Sequence, residues 1–131
     1  MPHLQFETTV SLESAEKRAF SDEIADLYAE HMETGTDHVA VTVRTRTDGG
    51  FYLGRLEAGD DAVMLNADIR EGRPFDQRRA FVRAAFETAC DRWDVPIENM
   101  YGVLTEHGGE QFHEYDRVLS SWGDHETEEG V

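Results

Sequence analysis

Cysteine, lysine and long apolar runs are scarce in this chain, and each shortage excludes a class of protein. Cys90 is the only cysteine among 131 residues, so no disulfide can form within the chain, as is usual in a reducing cytoplasm. No apolar run approaches the roughly 20 residues of a membrane-spanning helix, and no apolar segment typical of a signal peptide follows Met1. We therefore expect a cytoplasmic protein that has no membrane partner.

Basic residues are also few, and Lys17 is the only lysine. The chain has 28 acidic against 12 basic residues and a formal net charge of -16 at pH 7. A surface of this sign repels phosphate backbones, which disfavours nucleic-acid binding. Two Trp and seven Phe argue against an acidic disordered chain. Abundant acid with almost no lysine is the pattern expected of a halophilic cytosolic protein, in which salt screens the self-repulsion.

Hydrophobic periodicity predicts a strand–helix–strand order in the first half of the chain. Residues 3–10 alternate with period 2, which indicates a strand, and helical spacing of apolar residues predicts a helix over about 14–33. A β-branched strand follows at 38–44. A turn at 48–50 then leads into a short return strand at 51–55.

The same order then repeats in the second half. Residues 62–69 read as a buried strand, and Pro74 suits the first position of a helix that runs to about Trp93. A fourth strand is expected at 100–106, and residues 111–119 predict a shorter hairpin arm or helical turn.

This repeat indicates one α/β domain over residues 1–131, with units at 2–60 and 61–122 and an acidic tail at 123–131. Each strand–helix–strand unit favours a right-handed crossover and a parallel strand pair. Two units side by side form a four-stranded mixed sheet with two helices on one face, plus short hairpins. No third long helix is available to cover the opposite face, so we expect a homo-oligomer whose sheets pack face to face.

Pro2 is the first candidate for chemistry. Removal of Met1 would leave its ring nitrogen as a secondary amine at the start of the first strand. An α-amine has a pKa near roughly 7.7–8.0 and burial lowers it, so this amine can take and return a proton at neutral pH. The alternative is an ordinary proline, and position 2 alone does not decide between the two.

Arg70 and Arg73 lie where the third strand ends and the second helix begins, a place where open α/β folds bind anionic ligands. Two arginines three positions apart can grip one carboxylate, or they can simply bridge to Asp68 or Glu71. Glu114 follows the fourth strand, and its carboxylate could activate water if it faced the same pocket.

Six histidines raise the question of a metal, especially His107 and His113 beside Glu114. Their spacing matches no zinc motif, and only one cysteine is present. No Walker-type or dinucleotide-binding fingerprint occurs either. We therefore expect neither a metal nor a cofactor.

Five short stretches are distinctive in combination. They are Met1-Pro2, Thr34-Gly35-Thr36, Phe51-Tyr52-Leu53-Gly54, Arg70-Glu71-Gly72-Arg73 and Glu114-Tyr115. With the duplicated β-α-β order they resemble the tautomerase superfamily, and within it the cis-3-chloroacrylic acid dehalogenase group. The resemblance implies an N-terminal proline as acid/base, arginines that hold a substrate carboxylate, and a glutamate at Glu114 that activates water. It also implies a homotrimer that mimics the hexamer of the shorter 4-oxalocrotonate tautomerase type.

Two positions depart from the pattern of the dehalogenases. A histidine late in their first helix corresponds to Tyr28 here, with His31 about one turn later. A tyrosine of their last strand corresponds to Val103, with Tyr101 two positions earlier on the same strand face. Tyr28 and Tyr101 are therefore the candidate substrate-binding residues at these places.

The combined interpretation is a cofactor-free tautomerase-type enzyme. Pro2 would act as acid/base on a small 2-keto, enol or unsaturated carboxylic acid, with hydratase or dehalogenase activity in addition. Arg70 and Arg73 would bind the carboxylate, and Glu114 would polarise water or tune Pro2. Two alternatives stay open: a decarboxylase of a 3-oxo acid, resembling malonate semialdehyde decarboxylase, and a non-catalytic trimeric binding protein like the cytokine-like members of the superfamily.

Overall fold

Two β-α-β units follow one another in the computed structural model, which describes residues 2–118. The first consists of strand β1 (His3–Thr8), helix α1 (Ser14–Met32) and strand β2 (Ala40–Thr45). The second consists of strand β3 (Val63–Arg70), helix α2 (Phe75–Trp93) and strand β4 (Met100–His107). A short hairpin of β5 (His113–Glu114) and β6 (Arg117–Val118) comes after them.

The four long strands form one mixed sheet in the order β2-β1-β3-β4. Strands β1 and β2 are parallel, as are β3 and β4, because each pair is joined by a crossover through a helix. The two units meet through antiparallel β1 and β3, in which His3 lies opposite Asp68. The predicted α/β fold with a four-stranded mixed sheet is confirmed. Its topology brings the amino end of β1 to the carboxyl ends of β3 and β4.

Both helices contribute to a single core on one face of the sheet. Every second side chain of β1 is buried, and α1 adds Phe20, Ile24, Tyr28 and Met32, which recur at one-turn intervals. Burial of each large apolar side chain contributes roughly 1.5–3 kcal/mol, so this layer supplies most of the stabilisation. The other sheet face is mostly polar in its central strands, where His3, Gln5, Glu7, Asn66 and Asp68 lie beside Met64.

The two helices are joined by an aromatic contact with a charged border. The rings of Phe20 and Trp93 lie 4.2 Å apart, and the Trp93 Nε1–H donates to Glu16 at 2.9 Å. Arg92 donates to Glu23 at 2.7 Å and to Glu16 at 3.0 Å. The hydrogen bond to Glu23 raises the pKa of Arg92 above its ordinary value. This border connects the start of α1 with the end of α2.

Two details of local structure differ from the sequence prediction. The prediction of a return strand at 51–55 is wrong. The chain turns there, and the Leu56 N–H donates to the Leu53 carbonyl at 3.0 Å. Pro74 has an extended ψ of 159° and precedes the helix, which begins at Phe75, so it is the N-cap residue and not the first helical one. An N-cap keeps extended angles while its carbonyl accepts the first helical hydrogen bond, here from Arg78 at 3.2 Å.

Of the two alternatives predicted for residues 111–119, the hairpin is the one found, within residues 113–118. A 3-10 turn occupies Gly109–Gln111 and the β5–β6 hairpin follows it. The acidic tail predicted at 123–131 lies outside the described residues. Neither helix within residues 2–118 combines the length and apolarity that crossing a membrane requires.

Candidate active site

Pro2 and Arg70 lie at the same end of the sheet. The carbonyl of Pro2 accepts a hydrogen bond from the Ala40 N–H at 3.1 Å, which ties the start of β1 to β2. Because His3 lies opposite Asp68 in an antiparallel pair, continuing the register by one step places Pro2 opposite Ile69, next to Arg70. Pro2 is buried at this position. The fold thus places the predicted amine and one predicted arginine on neighbouring strands.

Arg70 ends β3 opposite His107 of β4, and its side chain is completely inaccessible to solvent. The neighbouring Glu71 N–H donates to the His107 carbonyl at 2.8 Å, which prolongs the strand pairing past Arg70. Gly72 then reverses the chain with a φ of 117°, a conformation that side chains strongly disfavour. This glycine therefore permits the turn between the two arginines.

Arg73 is directed toward the first helix. Its Nε and Nη2 donate to the carbonyl of Met32 at 3.2 and 2.7 Å, and the side chain is only 6% exposed. Met32 is the last residue of α1, where helix carbonyls lack partners within the helix. Arg73 therefore satisfies the end of α1, a role that the sequence analysis did not consider.

Glu114 contacts a residue that the sequence analysis missed. Its Oε2 is in direct contact with Nδ1 of His38, and its Oε1 lies 3.3 Å from Nε of Arg117. His38 stands in the loop before β2, two residues ahead of the Ala40 amide that bonds to Pro2. Glu114 is thereby connected to the Pro2 end of the sheet. Nothing local in the sequence links His38 with a partner 76 positions away.

The two candidate tyrosines lie apart from one another. Tyr28 is fully buried between helix and sheet, with its ring 5.1 Å from that of Phe81. Tyr101 is 47% exposed on the open face of the sheet, near the amino end of β4. At about 3.3 Å per residue it lies roughly 20 Å from the carboxyl end of that strand. The structure therefore does not bring Tyr101 to Arg70 of the same chain.

One further ionisable pair occupies this end of the sheet. Nε2 of His107 lies 2.8 Å from Oδ1 of Asp68, and the His107 ring packs edge-on against Phe112 at 5.7 Å. Within residues 2–118 no three His, Cys, Asp or Glu side chains are grouped so that they could hold a metal ion. The described ionisable side chains at this end of the sheet are carboxylates, imidazoles and guanidinium groups.

Comparison with known proteins matches the chain only in structure. No family model and no curated protein sequence matches it. A solved member of the cis-3-chloroacrylic acid dehalogenase (cis-CaaD) family is 22% identical, with a TM-score of 0.82 over 95% of this chain and 87% of that one. A fused wild-type 4-OT solved as a symmetric trimer is 16% identical. Its TM-score is 0.79, and the match covers 90% of this chain and 98% of that one.

A malonate semialdehyde decarboxylase inhibited by 3-bromopropiolate is 13% identical, with a TM-score of 0.70 over 84% of this chain and 86% of that one. At these identities the likeness establishes the fold. The chain thus has the fold of these tautomerase-superfamily structures, and the resemblance of its sequence to the cis-3-chloroacrylic acid dehalogenase group is confirmed at the level of fold.

Proposed function

We propose that the protein is a cytoplasmic, cofactor-free enzyme of the tautomerase type. Pro2, freed by removal of Met1, is its general acid/base, and its substrate is a small 2-keto, enol or unsaturated carboxylic acid. The observation that carries this proposal is the burial of Pro2 at the end of the sheet where Arg70, also buried, ends the neighbouring strand. Hydration or dehalogenation of an unsaturated acid is a further activity of the same site.

Burial favours the neutral form of the Pro2 amine. Taking an amine out of water disfavours its charged form, so the lone pair is available to remove a proton from carbon near neutral pH. The protonated amine then returns this proton to the carbon or oxygen of the resulting enolate. Met1 must be absent for this step, because an acylated proline nitrogen has no basic lone pair.

Arg70 supplies the positive charge of the proposed site. A guanidinium in a low-dielectric environment interacts strongly with a carboxylate and with the charge that develops on an enolate. Arg73 holds the end of α1 through Met32 and adds its charge to the same turn. In this proposal Arg70 binds the substrate carboxylate, while Arg73 contributes both charge and the geometry of the turn.

We extend the proposal to a homotrimer. The sheet face opposite the helices carries Tyr101 and Val103, which are 47% and 46% exposed. The fused 4-OT structure, which has a similar fold, is a symmetric trimer. Since Tyr101 is remote from Pro2 of its own chain, it would serve as a substrate-binding residue only in the site of a neighbouring subunit. Tyr28, the second candidate substrate-binding residue, is fully buried in the core against Phe81.

Two other functions remain as alternatives. Decarboxylation of a 3-oxo acid is favoured by the structural likeness to a malonate semialdehyde decarboxylase. A non-catalytic trimeric binding role is favoured by the complete burial of Arg70, which keeps its charge from solvent in the single chain. Both alternatives retain the fold and differ from the main proposal in what Pro2 does.

Ketonisation of phenylenolpyruvate in molar KCl, followed by ultraviolet absorbance, tests the proposal. We expect the rate to fall by about 100-fold or more in Pro2→Ala, since acid/base groups contribute roughly that much. Pro96→Ala, at a proline before the turn into β4, is the matched control and should keep the wild-type rate. An intact mass shows whether Met1 is gone. A processed wild type with no rate above background would refute the tautomerase assignment.

A further inference from the structure

We propose that His38 is a positioning residue of this site, which acts by fixing the carboxylate of Glu114. The inference rests on the proposed function and adds to it a residue from outside the motifs. Its basis is the direct contact of His38 Nδ1 with Glu114 Oε2, which joins the loop before β2 to strand β5.

The loop that carries His38 is anchored on both sides. The Val39 N–H donates to the Thr36 carbonyl at 3.1 Å, and the Ala40 N–H donates to the Pro2 carbonyl at 3.1 Å. His38 is therefore held within two residues of the amide that fixes the start of β1. Because only one residue separates His38 from Ala40, the position of the His38 ring relative to Pro2 is restricted. The contact with His38 restricts the position of Glu114 in the same way.

The carboxylate of Glu114 is held on both oxygens and still reachable. His38 contacts Oε2, while Arg117 lies 3.3 Å from Oε1 as the following strand of the hairpin returns. The side chains of His38 and Glu114 are 19% and 20% exposed. A carboxylate oxygen has two lone-pair directions, so each can accept one more hydrogen bond from a water molecule or a substrate hydroxyl. The pair thus fixes the rotamer without blocking the group.

Such an arrangement assigns a specific task to each residue. Glu114 orients a water molecule or the substrate next to Pro2, and His38 keeps Glu114 in that orientation by donating from Nδ1. Loss of this support would misplace the carboxylate, and misplacement of a reacting group by about 1 Å costs up to about 100-fold in rate. Substrate affinity, which depends on Arg70, would change little.

Kinetics of three variants test the assignment with the assay described above. We expect His38→Ala to lower kcat by about tenfold or more and to leave KM within about threefold. His38→Asn should recover most of kcat, because its amide nitrogen can donate from the place of Nδ1. His113→Ala, next to Glu114 but exposed, is the control. The proposal is overturned if His38→Ala and His113→Ala have the same kcat.

Nuclear magnetic resonance of the histidine rings provides a readout that needs no substrate. In the wild type we expect the proton of neutral His38 on Nδ1, and in Glu114→Ala we expect it to move to Nε2, the tautomer of a free imidazole in water. Identical His38 ring spectra in the two proteins would show that the pair does not exist and would overturn the inference. This result is independent of Pro2, so failure of the tautomerase assignment and failure of the pair are distinguishable.

Discussion

The guanidinium of Arg73 closes the carboxyl end of helix α1 by donating twice to the Met32 carbonyl, at 3.2 Å through Nε and 2.7 Å through Nη2. The two residues are 41 positions apart in the chain. A buried carbonyl at a helix end is costly when it lacks a partner, and a charged donor is stronger than a neutral one. Arg73 therefore links the turn after β3 to the preceding helix.

We expect Arg73→Ala to lower the free energy of unfolding by about 2 kcal/mol, because it leaves the Met32 carbonyl buried without this donor. Arg73→Lys should recover part of this loss, since an ammonium keeps the charge but not the forked geometry. Urea unfolding at a fixed KCl concentration measures both. Arg79→Ala, exposed on α2, is the control and should change the free energy by less than about 0.5 kcal/mol. Equal effects at Arg73 and Arg79 would contradict the capping role.

The contrast between Arg70 and Arg73 shows which features can be predicted from the sequence and which cannot. Period-2 and helical spacing predicted the four strands and two helices, because these signals are local. The spacing of the arginines suggested one shared carboxylate, but the bond to Met32 depends on how α1 packs beside the turn. That packing is a tertiary feature with no local signature.

His38 and residues 51–55 show the same limit in different ways. The partner of His38 lies 76 positions away, so only the folded chain reveals the contact with Glu114. Residues 51–55 have aromatic side chains typical of a strand. Yet strand formation also requires a neighbouring strand to pair with, and the chain turns at Leu53 instead. Local preference was overridden by the absence of a pairing partner in this part of the described chain.

The contact between the helices should depend on aromatic packing more than on its ion pairs. Phe20 is fully buried between Phe6 and Trp93, so we expect Phe20→Ala to cost about 3–5 kcal/mol. The side chains of Arg92, Glu16 and Glu23 are 30–46% exposed, and solvent screens them, so Arg92→Ala should cost about 0.5 kcal/mol or less. Urea unfolding of both variants gives the comparison.

The direction of the Arg92 pKa shift also predicts how the contribution of Arg92 to stability depends on pH. Because the pKa of Arg92 is raised in the folded state, its contribution to stability is complete below the ordinary pKa and is lost only as the pH rises through the raised value. The difference in free energy of unfolding between wild type and Arg92→Ala should therefore be constant from pH 6 to 9.

For the comparison of the two helix contacts, a larger loss of unfolding free energy in Arg92→Ala than in Phe20→Ala would show that the charged border, and not the aromatic contact, holds the helices together.

The formal net charge of -16 predicts a salt dependence that can be tested on one helix. Asp26 and Glu30 are exposed one turn apart on α1, and neither forms an ion pair within residues 2–118. Like charges at this spacing repel, so Asp26→Asn with Glu30→Gln should raise the free energy of unfolding by about 0.5 kcal/mol at low salt. In molar KCl the Debye length is about 3 Å and the gain should vanish. Lys17→Gln, on the same helix, should have the opposite sign at low salt. An equal gain at both salt concentrations would show that the carboxylates do not act through charge, and would remove the physical basis for adaptation to high salt.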